Sequence, residues 1–315
     1  MEPVINLRDA ILNLKREKNA IILAHYYQIP EIQDIADFIG DSLALSQKAS
    51  QVENDVIVFC GVHFMAETAK ILNPQKLVLL PDTEAGCSLA DSAPAQAFET
   101  FKAGYPDHIV VTYINSTAEV KMLSDVICTS GNAIQIVESF PQDQKIIFAP
   151  DRNLGAWINK QTGRQMVLWN GACHVHDLLT TEAILKLKLK HPDAAVVAHP
   201  ECNAAVLRIA DYIGSTNEMI KYIKTDSHSK YIVASETGIL HQMQKDAPGK
   251  QFLVVPADET CSCNDCPYMK LNTLQKLYNC LLNESPSIEL APGIIQKAVI
   301  PVNRMLEISR NLGLV

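Results

Sequence analysis

The sequence has no long hydrophobic run and no excess of basic residues. No apolar stretch approaches the roughly 18 residues needed to cross a bilayer, because even the run from Val56 to Ala66 contains His63. The chain carries 27 Lys and Arg residues against 35 Asp and Glu residues, a formal net charge of −8 at pH 7. A nucleic-acid-binding protein normally has a basic face. The sequence therefore argues against a membrane protein and against a nucleic-acid-binding protein.

Two further signals are missing. Neither glycine-rich nucleotide motif, G-x-x-x-x-G-K-[ST] or G-x-G-x-x-G, occurs in the chain, so nucleotide binding has no support. The segment from Met1 to Ala20 alternates apolar and charged residues, which predicts an amphipathic helix rather than a secretory signal. We therefore expect a cytoplasmic protein.

The cysteine pattern does not fit a small disulfide-bonded domain. The nine cysteines are odd in number and spread from Cys60 to Cys280. In a reducing compartment, such thiols are core residues, catalytic groups or metal ligands. The chain has 315 residues, 48% of them hydrophobic, which suits two or three domains with buried cores and excludes a disordered protein.

A three-fold internal repeat organises the chain. Three β-branched runs end in a ring side chain, and these rings are spaced 88 and 86 residues apart, at His25, Tyr113 and His199. A hydroxyl near a glycine follows each ring by 17 residues, at Ser42, Ser130 and Thr216. Each repeat continues with a helix-like stretch, two more strand-like runs and a cysteine-containing loop, which holds Cys87, Cys173 or the group Cys261, Cys263 and Cys266.

Short apolar strands that alternate with helices predict βαβ units with buried parallel sheets. We expect an α/β fold of three similar domains with small parallel sheets about a pseudo-three-fold axis. The predicted domains are residues 1–105 with the N-terminal helix, 106–190, and 191–315 with a C-terminal helix that packs back on the first domain. Strand carboxyl ends share one edge of a parallel sheet, so the active site is expected at the centre. The alternative is a coincidental likeness among βα units.

One cysteine per repeat would bring three thiolates to that centre. Soft sulfur ligands select zinc or an iron–sulfur cluster, and a [4Fe–4S] cluster usually takes four cysteines. Three cysteines would leave one iron free as a Lewis acid for a departing hydroxyl. Taken singly, Cys87 or Cys173 fits a core residue equally well, and spacing leaves both Cys261 and Cys266 as candidates. Cys261-x-Cys263-x-x-Cys266 also resembles half of a zinc site, although no second pair follows.

The glycine–hydroxyl turns predict anion sites at helix N-termini, with ordinary helix capping as the alternative for any one turn. His25 and His199 would add donors there, and Tyr27 and Tyr113 would supply phenolic protons. Glu201 is the candidate base, unless it is a first-turn glutamate favoured by the helix dipole. His174 and His176, beside Cys173, are expected to support the site or to be exposed.

These residues resemble the quinolinate synthase family, the A-type enzymes of NAD biosynthesis. The resemblance runs from about residue 20 to about residue 275 in the family's order. It rests on these stretches: Ala24-His25-Tyr26-Tyr27-Gln28, Gly40-Asp41-Ser42, Gly86-Cys87-Ser88-Leu89-Ala90, Tyr113-Ile114-Asn115-Ser116, Cys128-Thr129-Ser130-Gly131, Trp169-x-Gly171-x-Cys173-x-x-His176, His199-Pro200-Glu201-Cys202, Gly214-Ser215-Thr216 and Cys266-Pro267-Tyr268-Met269-Lys270.

The resemblance implies a [4Fe–4S] cluster and the condensation of iminoaspartate with dihydroxyacetone phosphate to quinolinate, phosphate and water. By position, the implied cluster ligands are Cys87, Cys173 and Cys266. The implied proton-transfer residues are Tyr27, Tyr113 and Glu201, with His199 also in a catalytic role. The implied substrate contacts are His25, Ser42, Tyr113, Asn115, Ser130, His199, Glu201, Ser215 and Thr216.

Three expectations stay open alongside the resemblance. Some relatives pair the extra cysteines of the third loop in a redox-sensitive bridge, but the C-x-C-x-x-C spacing here leaves the role of Cys261 and Cys263 undecided. A transient contact with L-aspartate oxidase, which supplies iminoaspartate, is a further expectation. The alternative functions are a thiolate-bound zinc hydrolase or lyase and a non-enzymatic iron–sulfur sensor.

Overall fold

The computed structural model describes residues 6–256 and 264–314, so Cys261 and Cys263 lie outside the described residues. These residues form three four-stranded sheets in which every pairing is parallel. In chain order the strands are β1 Ala20–His25, β2 Phe38–Gly40, β3 Val56–Cys60, β4 Leu77–Leu79, β5 Ile109–Tyr113, β6 Val126–Cys128, β7 Ile146–Ala149, β8 Val167–Leu168, β9 Ala195–Ala198, β10 Tyr212–Ile213, β11 Lys230–Ala234 and β12 Gln251–Val254.

Helices connect the strands in the same pattern within each sheet. They are α1 Leu7–Glu17, α2 Pro30–Gln33, α3 Ser42–Ala49, α4 His63–Leu72, α5 Ser88–Asp91, α6 Ala95–Ala103, α7 Ala118–Lys121, α8 Ala133–Glu138, α9 Arg152–Thr162, α10 His174–Asp177, α11 Thr181–Lys190, α12 Ala204–Arg208, α13 Thr216–Thr225, α14 Ile239–Asp246, α15 Leu274–Asn283 and α16 Pro292–Asn311. A 3-10 helix at Met269–Leu271 precedes α15.

The three sheets share one strand order, which confirms the predicted α/β fold of three similar domains. The orders are β2-β1-β3-β4, β6-β5-β7-β8 and β10-β9-β11-β12, so the first strand of each unit always lies between its second and third strands. Strands β1, β3, β7 and β9 are buried along their whole length, as expected for parallel strands covered by helices on both faces. The sheets fall within the three predicted segments, whose exact boundaries stay a prediction.

Sequence reasoning missed the second strand of each unit. These strands have only two or three residues, too few for a clear apolar run. An aspartate precedes each of them and accepts the backbone N–H of the neighbouring first strand. The bonds run from Ile22 to Asp37 at 2.8 Å, from Val110 to Asp125 at 2.7 Å and from Val196 to Asp211 at 2.7 Å. A repeated aspartate therefore fixes the register of each edge strand.

The chain returns to its beginning after the third sheet. Helix α15 packs on α1, and α16 packs on α4 of the first unit and on β6 and α7 of the second unit. On α16, Val302 and Leu306 are buried against the core. No helix within the described residues is long and apolar enough to cross a membrane.

Candidate functional site

A single central cavity collects side chains from all three sheets. Nearly all of the sequence-predicted site residues line it: His25, Tyr27, Ser42, Cys87, Tyr113, Asn115, Ser130, Cys173, His199, Glu201, Thr216 and Cys266. Most of them follow the carboxyl end of a strand, where parallel sheets place their ligand sites. The structure therefore brings these residues together, and their individual roles stay predictions.

Ser215 is the predicted residue that does not line the cavity. Its hydroxyl accepts the backbone N–H of Glu218 at 3.3 Å, while the Glu218 carboxylate accepts the backbone N–H of Ser215 at 2.7 Å. This reciprocal pair is a capping box at the start of α13. At the third glycine–hydroxyl turn, the N–H groups of Ser215 and Glu218 are therefore already hydrogen-bonded to side chains of the protein. The hydroxyl of this turn that lines the cavity is that of Thr216.

The three cavity cysteines share one backbone setting. Each begins a single helical turn, in which its carbonyl accepts the N–H of the residue four positions later. The backbone N–H of Asp91 donates to the Cys87 carbonyl at 2.9 Å, that of Asp177 to the Cys173 carbonyl at 2.9 Å and that of Lys270 to the Cys266 carbonyl at 3.3 Å. Burial raises the pKa of the Cys87 thiol to about 12 and that of Cys266 to about 11. Thiolates at these positions therefore need a compensating cation.

Two histidines present the same face to the cavity. The Nδ1 atom of His25 accepts the N–H of Tyr27 at 3.1 Å, so in the neutral ring the proton lies on Nε2. His199 repeats this geometry, because its Nδ1 accepts the N–H of Glu201 at 3.3 Å and its Nε2 lies 3.3 Å from Ser130 Oγ. Burial lowers the pKa of both imidazoles to about 3. Both rings are therefore neutral hydrogen-bonding groups at physiological pH.

Glu201 lies at the centre of the polar network. One carboxylate oxygen, Oε2, lies 2.7 Å from His176 Nδ1 and 3.5 Å from His199 Nδ1. The other, Oε1, is buried without a hydrogen-bond partner. Burial opposes ionisation, but the neighbouring imidazoles of His199 and His176 and hydrogen bonds from His176 and Tyr113 together outweigh it and hold the pKa of Glu201 below its ordinary value. A charged carboxylate with one free oxygen is thus available to a ligand.

The two tyrosines are protonated acids. Burial raises the pKa of Tyr27 and of Tyr113 well above 10, and the Glu201 carboxylate raises both further. The Tyr27 hydroxyl lies 3.0 Å from Ser235 Oγ and 3.4 Å from Thr216 Oγ1. Each phenol can therefore donate a proton or a hydrogen bond into the cavity at neutral pH.

Sequence reasoning left His176 as either a supporting or an exposed residue, and it missed two other residues of this site. His176 is 1% exposed and lies 3.4 Å from Cys173 Sγ, so it belongs to the site itself. Its ring stacks on His199 with centroids 4.6 Å apart. Asp41 and Glu236 also line the cavity and are buried. Their position in the sequence could have identified them, because Asp41 follows β2 and Glu236 follows β11, at the carboxyl ends of their strands.

The donor set fits a group held by soft ligands. Three free, partly exposed thiols from three sheets face one cavity, beside the unpartnered Glu201 Oε1 and an unpartnered Asn115 Oδ1. Thiolates suit an iron–sulfur cluster or zinc. A second, smaller set is Cys173, His176 and Glu201, whose ligand atoms all lie within 4.8 Å of one another. That set contains only one of the three cavity cysteines.

The fold and the cavity define a three-domain α/β protein with a thiol- and imidazole-lined central site. The profile of the family described as "NadA: Quinolinate synthetase A protein" matches residues 9–307. The chain belongs to the quinolinate synthase family.

Curated relatives agree with the family profile over nearly the whole chain. A protein of Thermosynechococcus vestitus named quinolinate synthase is 60% identical over 306 residues, which cover 97% of this chain and 96% of the relative. One from Prochlorococcus marinus strain MIT 9303, with the same name, is 59% identical over 299 residues, which cover 95% of this chain and 90% of the relative. A Microcystis aeruginosa quinolinate synthase is 59% identical over 304 residues, with 96% and 95% covered.

Proposed function

We propose that this protein condenses iminoaspartate with dihydroxyacetone phosphate to quinolinate, phosphate and water, as a transferase of NAD biosynthesis in the cytoplasm. The observation that carries the proposal is that three repeat-equivalent cysteines converge on one cavity with His25, His199, Tyr27, Tyr113 and Glu201. The family membership supplies the reaction, and the side chains of the cavity match its demands for anion binding and proton transfer.

Anion binding falls to neutral donors from all three units. The substrates would bring two carboxylates and one phosphate into a cavity with an ionised Glu201. The Nε2–H groups of His25 and His199 and the hydroxyls of Ser42, Ser130 and Thr216 provide hydrogen bonds without adding buried cations. The amide NH2 of Asn115 provides a further donor, and its unpartnered Oδ1 can accept a hydrogen bond from the substrate.

Proton transfer falls to the two tyrosines and Glu201. Protonated Tyr27 and Tyr113 donate to the oxygens that leave or gain charge during ring closure. Glu201 holds His176 at 2.7 Å and keeps one oxygen free to accept a proton from the substrate carbon or nitrogen. This division follows from the directions of the three pKa shifts.

Cys87, Cys173 and Cys266 would hold a [4Fe–4S] cluster. Because these three cysteines are the cavity thiols of the described residues, one iron of the cluster would lack a cysteine ligand and would polarise a departing hydroxyl. His176, next to Cys173, would keep the surrounding polar network in place. The contact with L-aspartate oxidase stays part of this proposal, as a source of the unstable imine.

A mononuclear metal site is the second candidate function. The compact set of Cys173, His176 and Glu201 favours it, because two of these three ligand types are common at catalytic zinc and the third, a carboxylate, also binds zinc. A zinc lyase or hydrolase would then use the same cavity without Cys87 and Cys266.

The test is product formation by oxygen-free, iron-loaded protein. With iminoaspartate generated in the assay and dihydroxyacetone phosphate added, we expect quinolinate and free phosphate in equal amounts. Dihydroxyacetone without phosphate should give neither product, since it lacks the leaving group. If iron-loaded protein makes no quinolinate whereas the zinc form hydrolyses or cleaves a substrate, the second candidate replaces the first.

A further inference from the structure

Two buried carboxylates accept the backbone N–H groups of the cavity cysteines in the second and third units. Asp151 and Glu236 are each 0% exposed. Each follows the third strand of its sheet by two residues, after β7 and β11 respectively. The corresponding position in the first unit is Val62, which follows β3. The acids are therefore repeat-equivalent, and the reaction proposed above gives them no role.

Asp151 joins the cysteine loop of its unit to the start of a helix. Its Oδ2 atom accepts the backbone N–H of Cys173 at 3.2 Å, and its Oδ1 atom accepts that of Leu154 at 2.7 Å. Both oxygens therefore accept hydrogen bonds from backbone N–H groups. Its contacts instead fix where the Cys173 backbone lies relative to α9.

Glu236 makes the equivalent contacts in the third unit. Its Oε1 atom accepts the backbone N–H of Cys266 at 3.0 Å and the Lys270 ammonium at 2.7 Å, and its Oε2 atom accepts the N–H of Gly238 at 2.6 Å. Lys270 also donates to the Tyr27 carbonyl at 2.7 Å. The Cys266 loop is thereby tied to the end of β1 in the first unit.

In the first unit, a backbone hydrogen bond reaches the cysteine loop at the place that corresponds to the two acids. The N–H of His63 donates to the Ala85 carbonyl at 2.7 Å, two residues before Cys87. The contact links the loop to the start of α4, close to Val62. A carboxylate is not needed where the two backbones meet directly.

We infer that Asp151 and Glu236 are positioning residues, which orient the Cys173 and Cys266 loops so that both sulfurs face the cavity. The inference rests on the proposed function in one respect, the assignment of these cysteines as ligands. Groups of this kind, behind metal ligands, commonly change metal affinity by 10–100-fold when they are replaced. In this chain they act on the backbone of the ligand residue.

The variants Asp151→Asn and Glu236→Gln keep the size of each side chain. Every contact to these oxygens comes from a donor, so an amide nitrogen in either position must face an N–H group or the Lys270 ammonium. Glu67→Gln is the matched control, because Glu67 is also buried and accepts a backbone N–H, from Ala118 at 2.9 Å, but binds no cysteine loop. Asp151→Ala and Glu236→Ala remove the acceptors outright.

The first readout is the rate at which a chelator removes iron from the loaded full-length protein. We expect Asp151→Asn and Glu236→Gln to release iron about tenfold faster than wild type or more, and Glu67→Gln to stay close to wild type. An acceleration of the same size in Glu67→Gln would assign the effect to general destabilisation and overturn the inference.

The second readout is alkylation of each cysteine in the metal-free full-length chain, followed by peptide mass analysis. Glu236→Gln should raise labelling about tenfold at Cys266 but not at Cys173, and Asp151→Asn should do the reverse, with Cys87 as the internal reference. Uniform or unchanged labelling would overturn the inference. A third outcome is that each variant raises labelling only at its own cysteine but does not release iron faster. That outcome would contradict the proposed cluster and would leave the positioning role of Asp151 and Glu236 intact.

Discussion

The side chains around Glu201 differ in protonation because their surroundings differ. Burial and the Glu201 carboxylate raise the pKa values of Tyr27 and Tyr113. The surroundings of Glu201, which include two imidazoles, lower the pKa of Glu201 itself. At neutral pH the cavity therefore holds protonated phenols beside an ionised carboxylate. General acid–base catalysis uses such a pair of a proton donor and a proton acceptor.

Tyr113→Phe tests this assignment at the level of one atom. The variant removes the donor but keeps the ring, so binding of a substrate analogue should be unchanged while turnover falls by about 10²–10⁴-fold. Tyr278→Phe, on α15 and outside the cavity, should keep wild-type turnover. Steady-state kinetics and analogue titration provide both numbers, and unchanged turnover in Tyr113→Phe would remove it from the mechanism.

The rings of the cavity could be predicted from sequence because they recur at nearly equal intervals at strand ends. Spacing alone left both Cys261 and Cys266 as candidates for the third cysteine, and only the family resemblance selected Cys266. The position of His176 could not be decided, since the sequence does not show whether a histidine near a cysteine is buried. Its burial depends on Glu201 and His199, which come from another unit and stack or pair with it across the cavity. Single-sequence patterns contain no information about such contacts between units.

At the scale of elements, close backbone approaches join the units. A Cβ atom at Gly238 would lie 2.6 Å from the Tyr27 Cα and 2.8 Å from the Tyr27 carbonyl oxygen. Gly238 therefore allows the third unit to meet the end of β1 in the first, beside a predicted proton-transfer residue.

Gly238→Ala should separate these two segments. We expect a loss of about 1–3 kcal/mol in the free energy of unfolding, because backbone atoms cannot move aside as a side chain can. Gly249→Ala is the matched control, since a Cβ there would meet nothing within 4 Å. Urea unfolding of both variants measures the difference, and equal stabilities would show that the contact carries no strain.

A buried cation joins α4 to α7 between the first two units. Lys121 is 0% exposed, donates to the Ser116 carbonyl and lies 5.3 Å from the centre of the Phe64 ring. Burial lowers the pKa of Lys121 from 10.5 to about 8, although Glu67 opposes this shift. The unfolded chain therefore binds an extra proton between those two pH values, and raising the pH favours the folded state.

Lys121→Met tests the sign of this effect. The stability of wild type relative to the variant should rise by up to about 3 kcal/mol between pH 8 and pH 10.5. Lys190→Met, at the exposed end of α11, should follow wild type at every pH. Urea unfolding across this range provides the curves, and parallel curves for wild type and Lys121→Met would contradict a lowered pKa.

The element order was readable from the sequence except where a strand is very short. Runs such as Val56–Cys60 have the β-branched composition of a buried strand, whereas Tyr212–Ile213 has two residues and no period. Asp37, Asp125 and Asp211 nevertheless recur at equal distances from their hydrogen-bond donors, 15 residues in each case. An alignment of the three repeats on these aspartates would have located the missing strands.

For the whole molecule, the three-fold repeat explains how a chain with small sheets builds one large polar site. Within residues 6–256 and 264–314, each unit contributes one cavity cysteine, so the predicted cluster exists only when all three units are assembled around the cavity. Helix α16, which packs on both the first and second units, helps to hold that assembly.

The most direct test of this account is the iron and acid-labile sulfide content of protein purified without oxygen. We predict about four of each per chain, as for one [4Fe–4S] cluster. Both should be lost in Cys87→Ala and retained in Cys280→Ala, a buried cysteine of α15 outside the cavity. Zinc in place of iron, or iron that Cys87→Ala leaves untouched, would contradict the three-cysteine centre.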